Sequence, residues 1–197
     1  LLLCLGYGLY GLATNSLSIW GTTYLNRLYN LPIPQIGYWL GIMTMAAGIP
    51  ATLFGGVIAD WFRQKSRGGR MRFSAILTIV SALLWAVVLF SDNFALIIPA
   101  SFILIFGALA WLGAGAADTI EIAGANLRGL SVAIYFFSIN ISAYLIGSNL
   151  IGFLNDRFGA TENPSMMRYA LLVCPICCVL ATICLLAGSK SLNRSES

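Results

Sequence analysis

Six stretches of this sequence, roughly 1–26, 36–61, 73–91, 94–122, 130–154 and 165–188, run for about 20 residues or more with almost no charge. A helix needs about 20 apolar residues to cross the hydrocarbon of a bilayer, and it satisfies its own backbone hydrogen bonds there. The pattern therefore predicts an all-α integral membrane protein with six transmembrane helices. Composition bears on the same point. Residues are 59% apolar and only 9% charged, whereas soluble domains carry about 25% charge. A soluble fold of this size would have nowhere to put so much apolar surface.

The cations sit between the apolar stretches, so the net charge of +4 reflects topology and not a nucleic-acid-binding face. Placing the 62–72 loop in the cytoplasm puts Arg63, Lys65, Arg67, Arg70, Arg72, Arg128, Lys190 and Arg194 inside and leaves Arg27, Arg157 and Arg168 outside. That asymmetry is the one that orients membrane proteins. Both chain ends are then cytoplasmic, and the expected location is a cell membrane, either a bacterial inner membrane or a plasma membrane.

Histidine is absent, which removes His-based triads, HExxH zinc sites and haem ligation. Four of the five cysteines, Cys174, Cys177, Cys178 and Cys184, lie in one apolar run without charged neighbours and read as small hydrophobes. No metal and no cofactor is expected, with proton coupling left open. The chain opens Leu1-Leu2-Leu3 without an initiator methionine or a basic leader, so it is expected to be a single domain, 1–197, of a longer protein.

The second apolar stretch ends in Gly56-Val57-Ile58-Ala59-Asp60-Trp61-Phe62, followed by five cations in ten residues. The spacing returns at Gly152-Phe153-Leu154-Asn155-Asp156-Arg157-Phe158, 96 positions later. Six spans put Asp60 and Asp156 on opposite sides of the membrane, the outcome of an inverted repeat of three plus three helices, an arrangement common in transporters. A carboxylate in this place could accept hydrogen bonds from a neighbouring helix N-terminus and latch one conformation, or could serve as a plain interfacial anchor.

Polar residues inside the spans are the remaining signal. In the first span Tyr7, Gly11, Thr14, Ser18 and Thr22 recur at helical spacing with Asn15 beside them. The stripe is either back-bonding and helix contact or the wall of a cavity, and Asn15 favours the cavity because hydrocarbon cannot satisfy its amide. In the fourth span Gly107, Trp111, Asp118 and Glu121 share a face, the acids near the cytoplasmic end. They are expected to form an interfacial ion pair or gate, with Arg128 as a candidate partner; proton carriage is the alternative. The fifth span offers Phe137, Asn140 and Tyr144 on one face, as core or as ligand site.

Gly56-Val57-Ile58-Ala59-Asp60 with its basic loop resembles the signature between the second and third helices of each half of the major facilitator superfamily, although Trp61 stands where a cation is usual and Arg63 where a glycine is usual. The run from Asn126 through Arg128 to Tyr135, continuing to Asn140, Gly147 and Gly152, is similar to the tenth-to-eleventh-helix region of Spinster-like members, with Ser148 in place of a proline. The resemblance implies the C-terminal six-helix half of a twelve-helix transporter, whose partner would be the N-terminal half. It implies alternating access and an amphipathic lipid substrate, a lysophospholipid or sphingosine-phosphate-like molecule; a small organic anion or drug is the alternative. It also implies a cavity lined by the first and fourth helices. Two other classes remain: a membrane-embedded enzyme, disfavoured by the missing histidine and scarce acids, and a non-transporting receptor or partner subunit.

Overall fold

The protein was analysed as a computed structural model, which describes residues 2–194. Six helices long and apolar enough to cross a membrane account for nearly all of it: α1 (Leu2–Tyr29), α2 (Ile33–Lys65), α3 (Gly69–Phe90), α4 (Ala95–Ala123), α5 (Arg128–Arg157) and α6 (Pro164–Asn193). Most run a few residues past the apolar stretches, because their ends carry polar side chains that extend a helix into an interface as readily as apolar ones.

Local chemistry sets the boundaries. Pro32 precedes α2, and a proline occupies its first turn, where no backbone donor is needed. Asn93 caps α4 by accepting from the Ala95 amide at 2.9 Å. Asn163 accepts from the Ser165 amide at 3.2 Å, and Pro164 begins α6 as one short 3₁₀ turn. Pro175 lies inside the sixth apolar stretch but does not kink a continuous helix. The backbone breaks at Leu171–Leu172 and helix resumes at Val173, which places Pro175 in the first turn of the new segment, where a missing N–H costs little.

Two further irregularities have no counterpart in the sequence reading. α4 is interrupted at Trp111, between Phe94–Ala110 and Leu112–Ala123. In α5, residues Ile141–Gly147 wind as a π-helix between two α-helical segments.

The packing obeys an internal symmetry. α1 lies against α5 and α6, and α4 lies against α2 and α3; α3 and α6 pair with each other. Exchanging the first three helices for the last three maps one set of neighbours onto the other, the arrangement of a 3+3 inverted repeat. The main core lies among α1, α3 and α6, where Tyr7, Tyr10, Trp85, Leu89, Cys178 and Leu185 are fully buried. A second, small-residue seam joins α2 to α4. At Gly55 an added Cβ would lie 2.5 Å from the Ala110 carbonyl oxygen, so only glycine permits this approach. α2 and α5 bury the smallest share of their surface and present large apolar side chains outward, among them Met45, Leu53 and Val57 on α2 and Phe137, Leu145 and Phe153 on α5.

Candidate functional site

Around the middle of α1, α4 and α5 and the first third of α2 the helices draw apart around a cavity of about 490 Å³, within the range of ligand sites. Thr14, Asn15, Ser18 and Thr22 reach it from α1, Gly37, Leu40, Gly41 and Thr44 from α2, Leu109 and Trp111 from α4, and Phe136, Asn140 and Tyr144 from α5. Its hydrogen-bonding side chains are all uncharged.

Several of these groups are tied to their own helices. Thr14 donates to the carbonyls of Tyr10 and Gly11 at 3.1 and 3.3 Å, Thr44 to Leu40 at 2.8 Å and Asn140 to Phe136 at 2.7 Å. Asn15 does more. Its amide donates to the Gly11 carbonyl at 2.9 Å while its oxygen accepts from the Tyr144 hydroxyl at 3.2 Å, fastening α1 to the π-helical turn of α5 across the cavity rim. The two helices can come this close because Gly11 faces Ile139: a Cβ at Gly11 would sit 2.7 Å from that side chain.

Trp111, at the break in α4, forms one side of the cavity although only 1% of it is exposed. Its ring stacks on Tyr7 with centroids 5.2 Å apart and planes 9° from parallel, and Tyr10 and Tyr135 lie against it at 5.2 and 6.3 Å. Tyr7 therefore stands apart from the expected cavity set. It is fully buried beneath Trp111, and its hydroxyl meets Ser74 of α3 at 3.1 Å. Tyr10 pairs with Ser81 at 2.9 Å and Tyr135 donates to the Leu112 carbonyl at 3.1 Å. These four rings form a continuous layer between the cavity and the basic end of the bundle.

Beyond that layer lies a cluster of six ionisable residues. Glu121 accepts from Arg63 at 3.0 and 2.9 Å through Nε, with a further short contact from Nη2, and from Arg70 Nη1 at 2.9 Å; Arg67 lies 3.9 Å away. Arg70 also donates through Nε and Nη2 to Asp60 Oδ1 at 2.9 and 2.8 Å. Asp118 is 3% exposed; one oxygen is 3.6 Å from Arg70 Nη1 and the other has no hydrogen-bond partner. One expectation is corrected here, and for Asp60 one of the two alternatives is not seen. Glu121 pairs with Arg63 and Arg70 of α2 and α3, not with Arg128, which is exposed at the start of α5. Asp60 is held by the Arg70 side chain and not by the amides of a helix N-terminus. The short α2–α3 turn places Arg70 opposite Asp60, a pairing that ten residues of separation across a hairpin could have signalled.

The α2 wall was also missed. Gly37, Gly41 and Thr44 recur at spacings of four and three, a small-residue face that periodicity could have found. Below it opens an apolar groove of about 350 Å³, lined by Ile36, Trp39, Met43, Ile97 and Ile98 and sharing Leu40 with the polar cavity.

No protein-family model matches the sequence, and no curated protein matches it. The fold does match. The six helices superpose on a solved structure with a TM-score of 0.76, covering 98% of this chain and 48% of that one at 13% identity. The architecture is one six-helix half of the twelve-helix major facilitator fold, in a multi-pass membrane protein. The matching structure is the bacterial homolog to the human lysosomal transporter Spinster, in an inward-facing and unoccupied conformation, and this chain spans about half its length.

Proposed function

We propose that this chain is the C-terminal half of a secondary transporter that moves an amphipathic organic solute by alternating access, with the polar cavity as its share of the substrate chamber. The carrying observation is the uncharged hydrogen-bonding cavity set between α1, α2, α4 and α5 and closed towards the basic end by the Trp111 layer. The N-terminal six-helix half would cover the exposed faces of α2 and α5 and complete the chamber; the bilayer would surround the rest. The likeness to a Spinster homolog supports the transporter class.

A lysophospholipid or sphingosine-phosphate-like substrate suits the juxtaposition of a polar cavity and an apolar groove that meet at Leu40. Thr14, Asn15, Ser18, Asn140 and Tyr144 would bind the head group and Trp111 would give it an amphipathic wall. Among the described residues no cation lines the cavity, so the negative charge of a phosphate head group, or of a small organic anion, would have to be met by the other half. Tyr7 would act by holding Trp111 in place. Asp60, Asp118 and Glu121 would form the gate at the basic end, with Arg128 at its margin. The host membrane would be a bacterial inner membrane or a plasma membrane.

The test is transport of fluorescent lysophospholipids by the full-length protein in proteoliposomes. Asn15→Ala and Trp111→Ala should each weaken apparent affinity several-fold or more. Wild-type affinity in both variants would remove the cavity from the substrate path.

A further inference from the structure

The placement of Asp118 asks for an explanation that a gate alone does not supply. It is a carboxylate at 3% exposure, one turn further inside the span than Glu121, with Oδ2 lacking any hydrogen-bond partner. An ionised carboxylate so placed would need charge-assisted hydrogen bonds to offset its lost hydration. The cation beside it is Arg70, and its Nη1 stands at 3.6 Å, beyond hydrogen-bond range. Arg70 is already engaged: Nε and Nη2 hold Asp60, and Nη1 holds Glu121. Three carboxylates thus compete for one guanidinium.

The groups facing Asp118 from each neighbouring element are Arg70 of α3, Arg63 of α2, Glu121 of its own helix, the Tyr7 hydroxyl of α1 and the Tyr135 hydroxyl of α5. Glu121 carries like charge, and Arg63 is committed to Glu121. The tyrosines can donate or accept a hydrogen bond. This is an environment that tolerates a neutral carboxyl and can serve a charged one only by taking Arg70 from its present partners.

We propose that Asp118 is a proton-binding residue whose charge state decides the allegiance of Arg70. In the protonated form a proton from water is bonded to Oδ2, and Arg70 clasps Asp60 and Glu121 as seen here. When that proton leaves to water, Arg70 is drawn to Asp118 and releases Asp60, and the ion pair between the end of α2 and α3 is lost. Because α2 presents one of the two least buried faces of the bundle, the switch acts on a helix with comparatively little packing to restrain it. The inference rests on the transporter reading only for its consequence, not for the protonation itself.

The experiment therefore has two arms. In the first, the detergent-solubilised full-length protein is treated with dicyclohexylcarbodiimide, which modifies protonated carboxyls in apolar surroundings, and modified peptides are identified by mass spectrometry. Asp118 should be labelled, with labelling falling as pH rises, while Asp60 and Glu121 stay unmodified. Absence of label on Asp118 at acid pH, or label on Glu121 in its place, overturns the proposal. In the second arm, fluorescent lysophospholipid transport is compared with and without an imposed pH gradient. Asp118→Asn should lose the response to the gradient, and Asp156→Asn, at the opposite end of the bundle, should keep it; a full response in Asp118→Asn overturns the coupling. If no lysophospholipid moves under any condition while Asp118 still labels with the expected pH dependence, the transport reading fails and the proton site stands.

Discussion

The two Gly-x-x-x-Asp turns fall at equivalent places in the two helix triplets, yet the ends they occupy are fastened by different chemistry. At the basic end, Asp60, Arg63, Arg70 and Glu121 tie α2, α3 and α4 together through charged groups. At the opposite end Asp156 is exposed, and the chain relies on tyrosines: Tyr24 donates to the Val88 and Leu89 carbonyls, each at 3.3 Å, and Tyr29 to Ser91 at 3.2 Å. The ion pair of Arg168 with Asp92 supplements them. Phenol-to-carbonyl bonds do not respond to proton uptake or to salt, whereas a shared guanidinium responds to both. The repeat therefore supplies one adjustable end and one fixed end from the same turn.

Four tests, six substitutions in all, would break or sharpen that contrast. The largest effect is expected at the backbone seam that positions the adjustable end. Gly55→Ala drives a Cβ against Ala110 backbone and should destabilise the purified protein by about 1–3 kcal/mol or prevent its folding. Gly152→Ala should be close to neutral, since the nearest contact for the new methyl is the Trp20 ring at 3.5 Å. Thermal melts of the two variants make the comparison. Next, Glu121→Gln removes the negative charge and one of the two acceptor oxygens that Arg63 and Arg70 share and should cost about 1.5–3 kcal/mol, reduced by its partial exposure. In transport it should alter rate more than affinity.

Third, Asp60→Asn should slow transport while leaving yield and melting temperature nearly unchanged, because 62% of that side chain is exposed. Asp156→Asn should leave transport at the wild-type rate. Equal effects of the two would show that the ends work alike. The smallest effect is expected for Arg168→Gln, which loses an ion pair whose acid is exposed and should cost at most about 1 kcal/mol, vanishing in high salt.

Much of this contrast was legible in the sequence, and the parts that were not share a cause. Charge-free length gave the number of helices, and the repeat of Gly56 and Asp60 at Gly152 and Asp156 gave their symmetry. The polar stripe of α1 was visible as a stripe, but what each member meets depends on the neighbour at its own level. Thr14, Asn15 and Ser18 face a gap between helices, whereas Tyr7, two turns away on the same helix, meets Ser74 of α3. Partnerships such as Arg70 with Glu121, 51 positions apart, are set by how helices cross and leave no periodic trace. The interruption at Trp111 was likewise hidden, since neither proline nor polar residues mark it.

The π-helical turn of α5 carries a consequence for how this span can change length. Over Ile141–Gly147 each bond reaches one residue further back than in an α-helix, as the Ser148 amide does in bonding Ala143. The turn thus stores one surplus residue. Deleting a residue there would restore ordinary winding and leave both flanks aimed as before. The same deletion elsewhere in α5 would swing one flank by about 100° and misdirect every side chain on it. Among sequences that share this span, gains and losses of a single residue should concentrate between Asn140 and Ser148. A chain lacking the surplus residue would keep its helix but would have to find a new way to hold Tyr144 against Asn15.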